Sequence, residues 1–595
     1  MNPINSVLTL IKQQRFAQGI TALDSLLKTG SQQRAVLHRL RATCFFALKQ
    51  YPEAISDLNK ANEEGMSDGE LFMNLAKAYV FSNDLTNAFQ YILKALNCKD
   101  RFYQTALCFV HRSMLDELSD ADVRVLIASI DTDMVTTDSA KNALANIYIA
   151  LSDATLALAK LDEIKDPAVD VRITYAMANR MNGECHKALD ALMMIENDYG
   201  RHFAVYHQMA NCYADLGDLD NACECYSKAI ELNDQYRFSH FNLAELMFQR
   251  GSAEMMFSSY EALHRENRFN LPTLCDYLSF LLRLNHYPLV LTLTEYYRHQ
   301  FGRESLQYFE AEAQRLAGHS EQAIQTTKAI DSQCLTNDQL CQLTQHLITN
   351  AEYPLAQAFL QQVLCRDETN QWALALAILL SHNDQGNSAN HLNYIDYIFE
   401  YALRPPAGFD NTEAYLQALA SLLNTLHGET ENSPLNVTIH GGTQSHANLF
   451  TLQHPLIAHL KSEFEHAASQ ALAKCKAAKT LHAGFEKEGS LYTSGSWSIN
   501  TKTAGYHNNH IHPMGLLSSV CYISLPADIS AENGGIQFGV PPFATPFTLH
   551  REVFTPEIGK LLLFPSCFWH GTLPLLKGNN RLTVAADFVL RKAQH

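Results

Sequence analysis

Within the 595 residues no apolar run reaches the roughly 18 that a membrane-spanning helix needs. The N-terminus, "MNPINSVLTLIKQQRF", has a short apolar stretch and no cleavage-site pattern, so neither a secretory leader nor a membrane partner is expected. The fourteen cysteines include no C-x-x-C pair. Scattered thiols of this kind read as reduced, mostly buried side chains in a cytoplasmic protein. There is no Gly-rich phosphate loop and no G-x-S-x-G nucleophile motif, which leaves no sign of the common NTPase and serine-hydrolase chemistries. Basic charge is scarce in the first part of the chain. Residues 1–435 hold 33 Lys and Arg against 53 Asp and Glu, a net of −20. Phosphate-backbone binding needs a basic footprint, so nucleic acid is not an expected partner. A basic protein or peptide would suit this surface, although acidic side chains also serve solubility.

What is present begins with repetition. The chain is too long for one hydrophobic core, and its 47% hydrophobic content reads as globular. In "VYHQMANCYADLGDLDNACECYSKAIELN", Tyr206, Met209, Ala210 and Tyr213 recur at helical spacing. Leu216-Gly217 makes a turn, and Ala222, Tyr226 and Ala229 mark a second helix. Small residues let two helices approach, and large ones fill the gap between them. The same frame recurs around Phe72, Leu75, Ala76, Tyr79, Ala88 and Ala95, and around His38, Ala42, Phe45, Ala54 and Ala61. Ala54 and Ala88 are 34 residues apart, as are Ala188 and Ala222. This is the period of about 34 of the tetratricopeptide repeat (TPR). An all-α TPR solenoid is therefore expected over residues 1–400. Such arrays present a concave surface suited to an extended peptide or protein segment, or serve assembly, including homo-oligomers.

Arg404-Pro405-Pro406 is expected to end a helix, because proline cannot continue one. One further helix, "NTEAYLQALASLLNTLHG", makes 401–435 a helical linker, with the domain boundary near residue 430. After another helix, "HPLIAHLKSEFEHAASQALAKC", the period changes to two. "SGSWSIN", "LLSSVCYISLP", "GGIQFGV", "GKLLLFPS" and "RLTVAADFVL" read as short strands bounded by Gly, Pro or Asn. A β-sandwich or jelly roll over 436–595 is expected.

Histidine is concentrated here: 12 of the 26 lie in residues 436–595. "YHNNHIHPMG" holds three of them, in a loop before a strand. His510 and His512, with His570 far along the chain, could hold a first-row metal while leaving coordination positions open. The spacing H-x-H…H resembles the H-x-D/E…H triad of non-haem iron oxygenases, with His512 at the carboxylate position. Arg581, eleven residues past His570, offers a fork of N–H donors suited to a carboxylate. Thr583 lies two residues on, on the same strand face. Tyr506 and Tyr522 could hydrogen-bond the same ligand, and Asn500 could face the site. His507 reads as a surface or supporting histidine. Trp497 and Trp569 read as core or pocket wall, Asp528 and Glu532 as solvated loop acids, and His595 has no visible role.

The pieces "GGTQSHANLF", "SWSIN", "GYHNNHIHP", "LSSVCYISLP", "NGGIQFG", "EIGKLLLFPSCFWHGTLP" and "RLTVAADF" run in order over about residues 438–590. Together they resemble the 2-oxoglutarate/Fe(II)-dependent oxygenases that follow TPR arrays. The resemblance implies a double-stranded β-helix holding Fe(II) on His510, His512 and His570. It implies 2-oxoglutarate as co-substrate, with Arg581, Thr583 and Tyr522 on it, and O₂ as oxidant. The co-substrate would be decarboxylated to succinate and CO₂, and hydroxylation is the default outcome. At the third ligand, three readings stay open: a three-histidine site, a two-histidine site completed by water, and a site without iron. The expected function is a dioxygenase that hydroxylates a side chain on a protein or peptide held by the repeats. The rivals are a small-molecule hydroxylase with repeats used for assembly, a non-catalytic scaffold, and a three-histidine dioxygenase using no 2-oxoglutarate.

Overall fold

The computed structural model describes residues 3–591 apart from 29–32, 83, 119, 152, 384–391, 428–437, 446–447, 478–480, 482, 487–488 and 577–579. Two compact units are present, Met1–Asn182 and Gly183–His595.

The first unit is built of antiparallel helix pairs. Arg34–Ala47 packs on Tyr51–Glu63, and Gly69–Phe81 on Leu85–Asn97. The alanines that set the repeat period, Ala42, Ala54, Ala61, Ala76, Ala88 and Ala95, are all buried, so the helices close onto methyl groups. Side-chain caps mark the helix starts. Asp68 accepts from the Leu71 N–H and Asp84 from the Asn87 N–H, satisfying donors that have no partner within the helix.

The second unit opens with the same architecture. Helices Phe203–Asp215 and Leu219–Leu232 meet through fully buried Ala210, Ala222 and Ala229. Gly217, at φ 78°, makes the turn between them, in a backbone region that disfavours other residues. Further helices follow up to Gln371–Ser381.

Nine strands follow among the described residues: β1 (Phe399–Ala402), β2 (Ile439–Gln444), β3 (Ser490–His507), β4 (Leu517–Ser524), β5 (Ile536–Phe538), β6 (Glu552–Phe554), β7 (Lys560–Pro565), β8 (His570–Thr572) and β9 (Arg581–Arg591). They form an antiparallel sheet of order β1-β7-β4-β9-β3-β2 and a smaller one of order β6-β5-β8. The architecture is thus a helical TPR-like region followed by a curled antiparallel sheet of jelly-roll type.

Side chains alternate across β9. Leu582, Val584, Ala586 and Phe588 face helices α1 (Thr412–Asn424) and α2 (Pro455–Ala477), where Leu416, Leu419, Leu460, Phe464 and Ala467 complete a core. Arg581, Thr583, Ala585 and Asp587 occupy the opposite face. On that inner side the two sheets meet, with the Phe538 and Phe564 rings 4.9 Å apart.

The junction differs from the sequence expectation. The residues before Arg404-Pro405-Pro406 do not end a helix. Tyr394–Tyr397 is a single 3₁₀ turn, and β1 pairs with β7 in the large sheet. Its alternating exposure fits an edge strand, and pairing with β7 decides the conformation that the apolar pattern left ambiguous. The sheet therefore begins at the expected 400/401 boundary, and α1, read as linker, is part of its covering core. The boundary expected near 430 to 435 lies outside the described residues.

Candidate metal centre

β3 runs on to His507, into the first residues of the stretch expected as loop, and the chain then turns through Asn508 and Asn509. His510 and His570 exchange backbone hydrogen bonds, 2.8 and 2.9 Å, which sets their rings side by side at 4.4 Å. The His512 N–H donates to the Ser566 carbonyl at 3.1 Å. In an extended segment, residues two apart point the same way. His510 and His512 therefore face His570 together. One nitrogen from each ring lies within 4.8 Å of the others.

The outer nitrogens are all committed. His510 Nδ1 lies 2.7 Å from the Asn508 carbonyl oxygen, and His570 Nδ1 2.8 Å from the Phe568 carbonyl oxygen. A carbonyl only accepts, so both Nδ1 atoms carry the proton. His512 Nδ1 lies 2.7 Å from Asp587 Oδ2. With Nδ1 protonated, neutral His510 and His570 each keep a lone pair on Nε2, and His510 Nε2 lies 3.2 Å from His512 Nε2. Burial pushes the His510 imidazolium pKa down to about 3, helped by neighbouring His512, and holds His570 well below the ordinary value for the same causes. Both rings are therefore neutral ligands near pH 7. Trp497 stacks parallel to His512 at 5.9 Å, and Phe564 contacts His570 at 4.6 Å, so aromatic rings wall the cluster. Three imidazole nitrogens fixed in this way fit a first-row metal.

Arg581 is 2% exposed. Its Nη1 donates to the Gly534 carbonyl at 2.8 Å and its Nη2 to Thr572 Oγ1 at 3.0 Å. Gly534 sits at φ 79°, and a Cβ there would meet Leu575 at 2.6 Å. The "NGG" turn thereby brings a bare carbonyl to the guanidinium. Arg581 Nε has no partner, and among the described residues no carboxylate pairs with this cation. A buried charge without a counter-ion is costly, so this position suits an anionic ligand. Tyr522 and Thr583 are cross-strand neighbours on the same face, and the Tyr522 hydroxyl is buried without a partner. Burial raises the Tyr522 pKa, so it remains a neutral donor, although the Arg581 charge opposes the shift. These unsatisfied donors match a carboxylate.

The structure sorts the remaining candidates. His507 lies outside the triad. Its backbone N–H donates to Thr572 Oγ1, its Nδ1 meets Thr438 Oγ1 at 3.2 Å, and its ring is 6.2 Å from that of His510. Tyr506 stacks on His440. Asn500 faces away from the site and donates to Asn424 of α1, because Trp497, Ile499 and Thr501 take the inner face of β3. His595 lies outside the described residues. Sequence reading missed Asp587. The available signal was its place in "RLTVAADF", six residues past Arg581, on the same strand face and amid apolar neighbours.

Residues 495–587 match the family model described as "Putative 2OG-Fe(II) oxygenase", and residues 203–236 match the tetratricopeptide repeat. Over 270 residues the chain is 22% identical to human Superkiller complex protein 3, spanning 44% of this chain and 17% of that one. Among solved structures, a tetratricopeptide repeat protein from Parabacteroides merdae matches at 13% identity and TM-score 0.29, covering 44% of this chain and 91% of that one. YrrB, titled a TPR protein with an unusual peptide-binding site, matches at 15% identity and TM-score 0.24, covering 37% and 95%. Residues 495–587 are thus similar to the 2OG-Fe(II) oxygenases, and residues 203–236 to the tetratricopeptide repeats.

Proposed function

We propose that the chain is a 2-oxoglutarate- and Fe(II)-dependent dioxygenase that hydroxylates a side chain of a protein or peptide recruited by its repeats. The observation that carries this reading is the convergence of one nitrogen each from His510, His512 and His570, every ring fixed through its Nδ1. Iron, when bound, supplies oxidation by O₂ coupled to decarboxylation of the co-substrate. The chain's own part is positioning. Arg581 has N–H groups left over from Gly534 and Thr572 for the distal carboxylate of 2-oxoglutarate. Tyr522 and Thr583 would add hydroxyl donors. Trp497, Phe538 and Phe564 exclude water beside the imidazoles. A macromolecular substrate is supported by the repeats, which generally mediate protein interactions. The oxygenase module is taken to begin near Tyr394, so that it includes β1 and α1.

The test is release of succinate from 2-oxoglutarate by the full chain with Fe(II), alongside mass spectrometry of peptides and cell extracts. Turnover abolished in His570→Ala, with a +16 Da peptide product in the wild type, is the expected result. Turnover unchanged by that substitution overturns the metal assignment. A hydroxylated free metabolite in place of a peptide overturns the substrate class.

A further inference from the structure

The third imidazole replaces a carboxylate that would carry negative charge, and the chain holds a carboxylate immediately behind it. Asp587 Oδ2 lies 2.7 Å from His512 Nδ1, on the side of the ring away from the cluster. The Asp587 side chain is 11% exposed, and its Oδ1 is buried with no hydrogen-bond partner. A structural carboxylate is ordinarily satisfied at both oxygens. This one accepts a single bond, from an imidazole whose other nitrogen points at the metal cluster. Trp497 lies parallel to the His512 ring, with centroids 5.9 Å apart.

Building on the proposed function, we infer that Asp587 is a positioning residue whose charge, relayed through His512, replaces the carboxylate missing from the metal's own ligands. Charge balance favours this role. A divalent metal and the Arg581 guanidinium facing a doubly charged co-substrate leave one positive charge in excess inside a buried site. The Asp587 carboxylate cancels it, and buried charge is tolerated when compensated. The hydrogen bond also fixes the His512 tautomer and makes its Nε2 a stronger donor, the usual effect of a carboxylate behind a ligating histidine. Asp587 enters the site by register. It opposes Ser518 of β4 and is four residues past Thr583, so the β9 face that presents Arg581 at one end presents Asp587 toward the other.

The test is Co(II) titration of the full chain, followed by the metal's visible absorption, with thermal melts of the metal-free protein. Asp587→Asn keeps the shape and an acceptor for Nδ1–H and removes only the charge. It is expected to weaken Co(II) binding about 10- to 100-fold and to shift the absorption. Its metal-free form should melt no lower than the wild type, because a half-satisfied buried anion has become neutral. Wild-type affinity in Asp587→Asn, with weakening only in Asp587→Ala, would show that the hydrogen bond suffices and would overturn the charge role. A metal-free melting temperature that falls together with affinity would make Asp587 merely structural. His570→Ala separates the two proposals. If it binds Co(II) like the wild type, the metal site itself is wrong. If it does not and Asp587→Asn does, only the inference about Asp587 fails.

Discussion

Arg581→Met removes the buried guanidinium at little change in volume. The wild-type cation is 2% exposed and has hydrogen bonds from Nη1 and Nη2 to neutral oxygens. Nε and the unused N–H groups are left for a carboxylate. Two charge-assisted hydrogen bonds are each worth about 1.5–3 kcal/mol. Their loss should cost about 3 kcal/mol or more, which is a weakening of roughly 100-fold. Calorimetric titration of the Co(II)-loaded chain with 2-oxoglutarate reads this directly, without turnover. Metal affinity should stay close to the wild type, because Arg581 touches none of the three histidines. Without ligand, the variant should melt at or above the wild-type temperature, because the guanidinium is buried with no carboxylate partner among the described residues. Binding of 2-oxoglutarate within threefold of the wild type would refute the assignment. So would an equal loss of metal and co-substrate affinity, which would signal general damage.

Tyr522→Phe removes a buried hydroxyl that has no partner, so it should leave the metal-free melting temperature unchanged. If the hydroxyl donates to 2-oxoglutarate, its KM should rise about tenfold, as expected for one hydrogen bond to a charged group. His427 stands between Thr443 Oγ1 and Ser498 Oγ, each 2.9 Å away, and burial, with the nearby Lys502 charge, pushes its pKa down to about 4. A folded-state pKa below the unfolded value means the unfolded chain binds the proton first. Stability is then full above about pH 6.5 and is lost as pH falls toward 4, by on the order of 2 kcal/mol after allowance for partial exposure. Urea unfolding between pH 7.5 and 4.5 should show this slope reduced in His427→Gln; an unchanged slope would place the titration elsewhere. Ala222→Leu forces a larger side chain between two repeat helices and should cost about 1–3 kcal/mol, while melting of the wild-type protein gives the reference.

The repeats were readable because their information is local. Alanine at fixed offsets, with Gly217 and the Asp caps, specifies each helix pair from its own neighbourhood. The strands of the C-terminal part were also readable as period-two segments. The segment around Phe399 was not, since four residues of mixed pattern are decided by an unpaired edge at β7. Among the candidate site residues, His510, His512, His570 and Arg581 carried signals of type and spacing. Asn500 was left open by sequence and is decided by the parity of β3, which gives the inner face to Trp497, Ile499 and Thr501. Asp587 carried almost no signal, because one acid in an apolar strand has no meaning until its partner is known.

By itself the sequence determined the order of the modules, the helical repeat and the types of residue available for chemistry, because each of these follows from neighbours along the chain. Only the tertiary structure decided which nitrogens converge, that Arg581 is buried without a carboxylate partner among the described residues, and that a carboxylate stands behind His512. Those facts depend on strand register and on contacts between residues up to 80 positions apart, as between Arg581 and Thr501. In "YHNNHIHPMG", three histidines of similar appearance thus become two that face His570 and one, His507, turned to Thr438 and Thr572. The backbone exchange between His510 and His570 makes that distinction, and no local pattern encodes it.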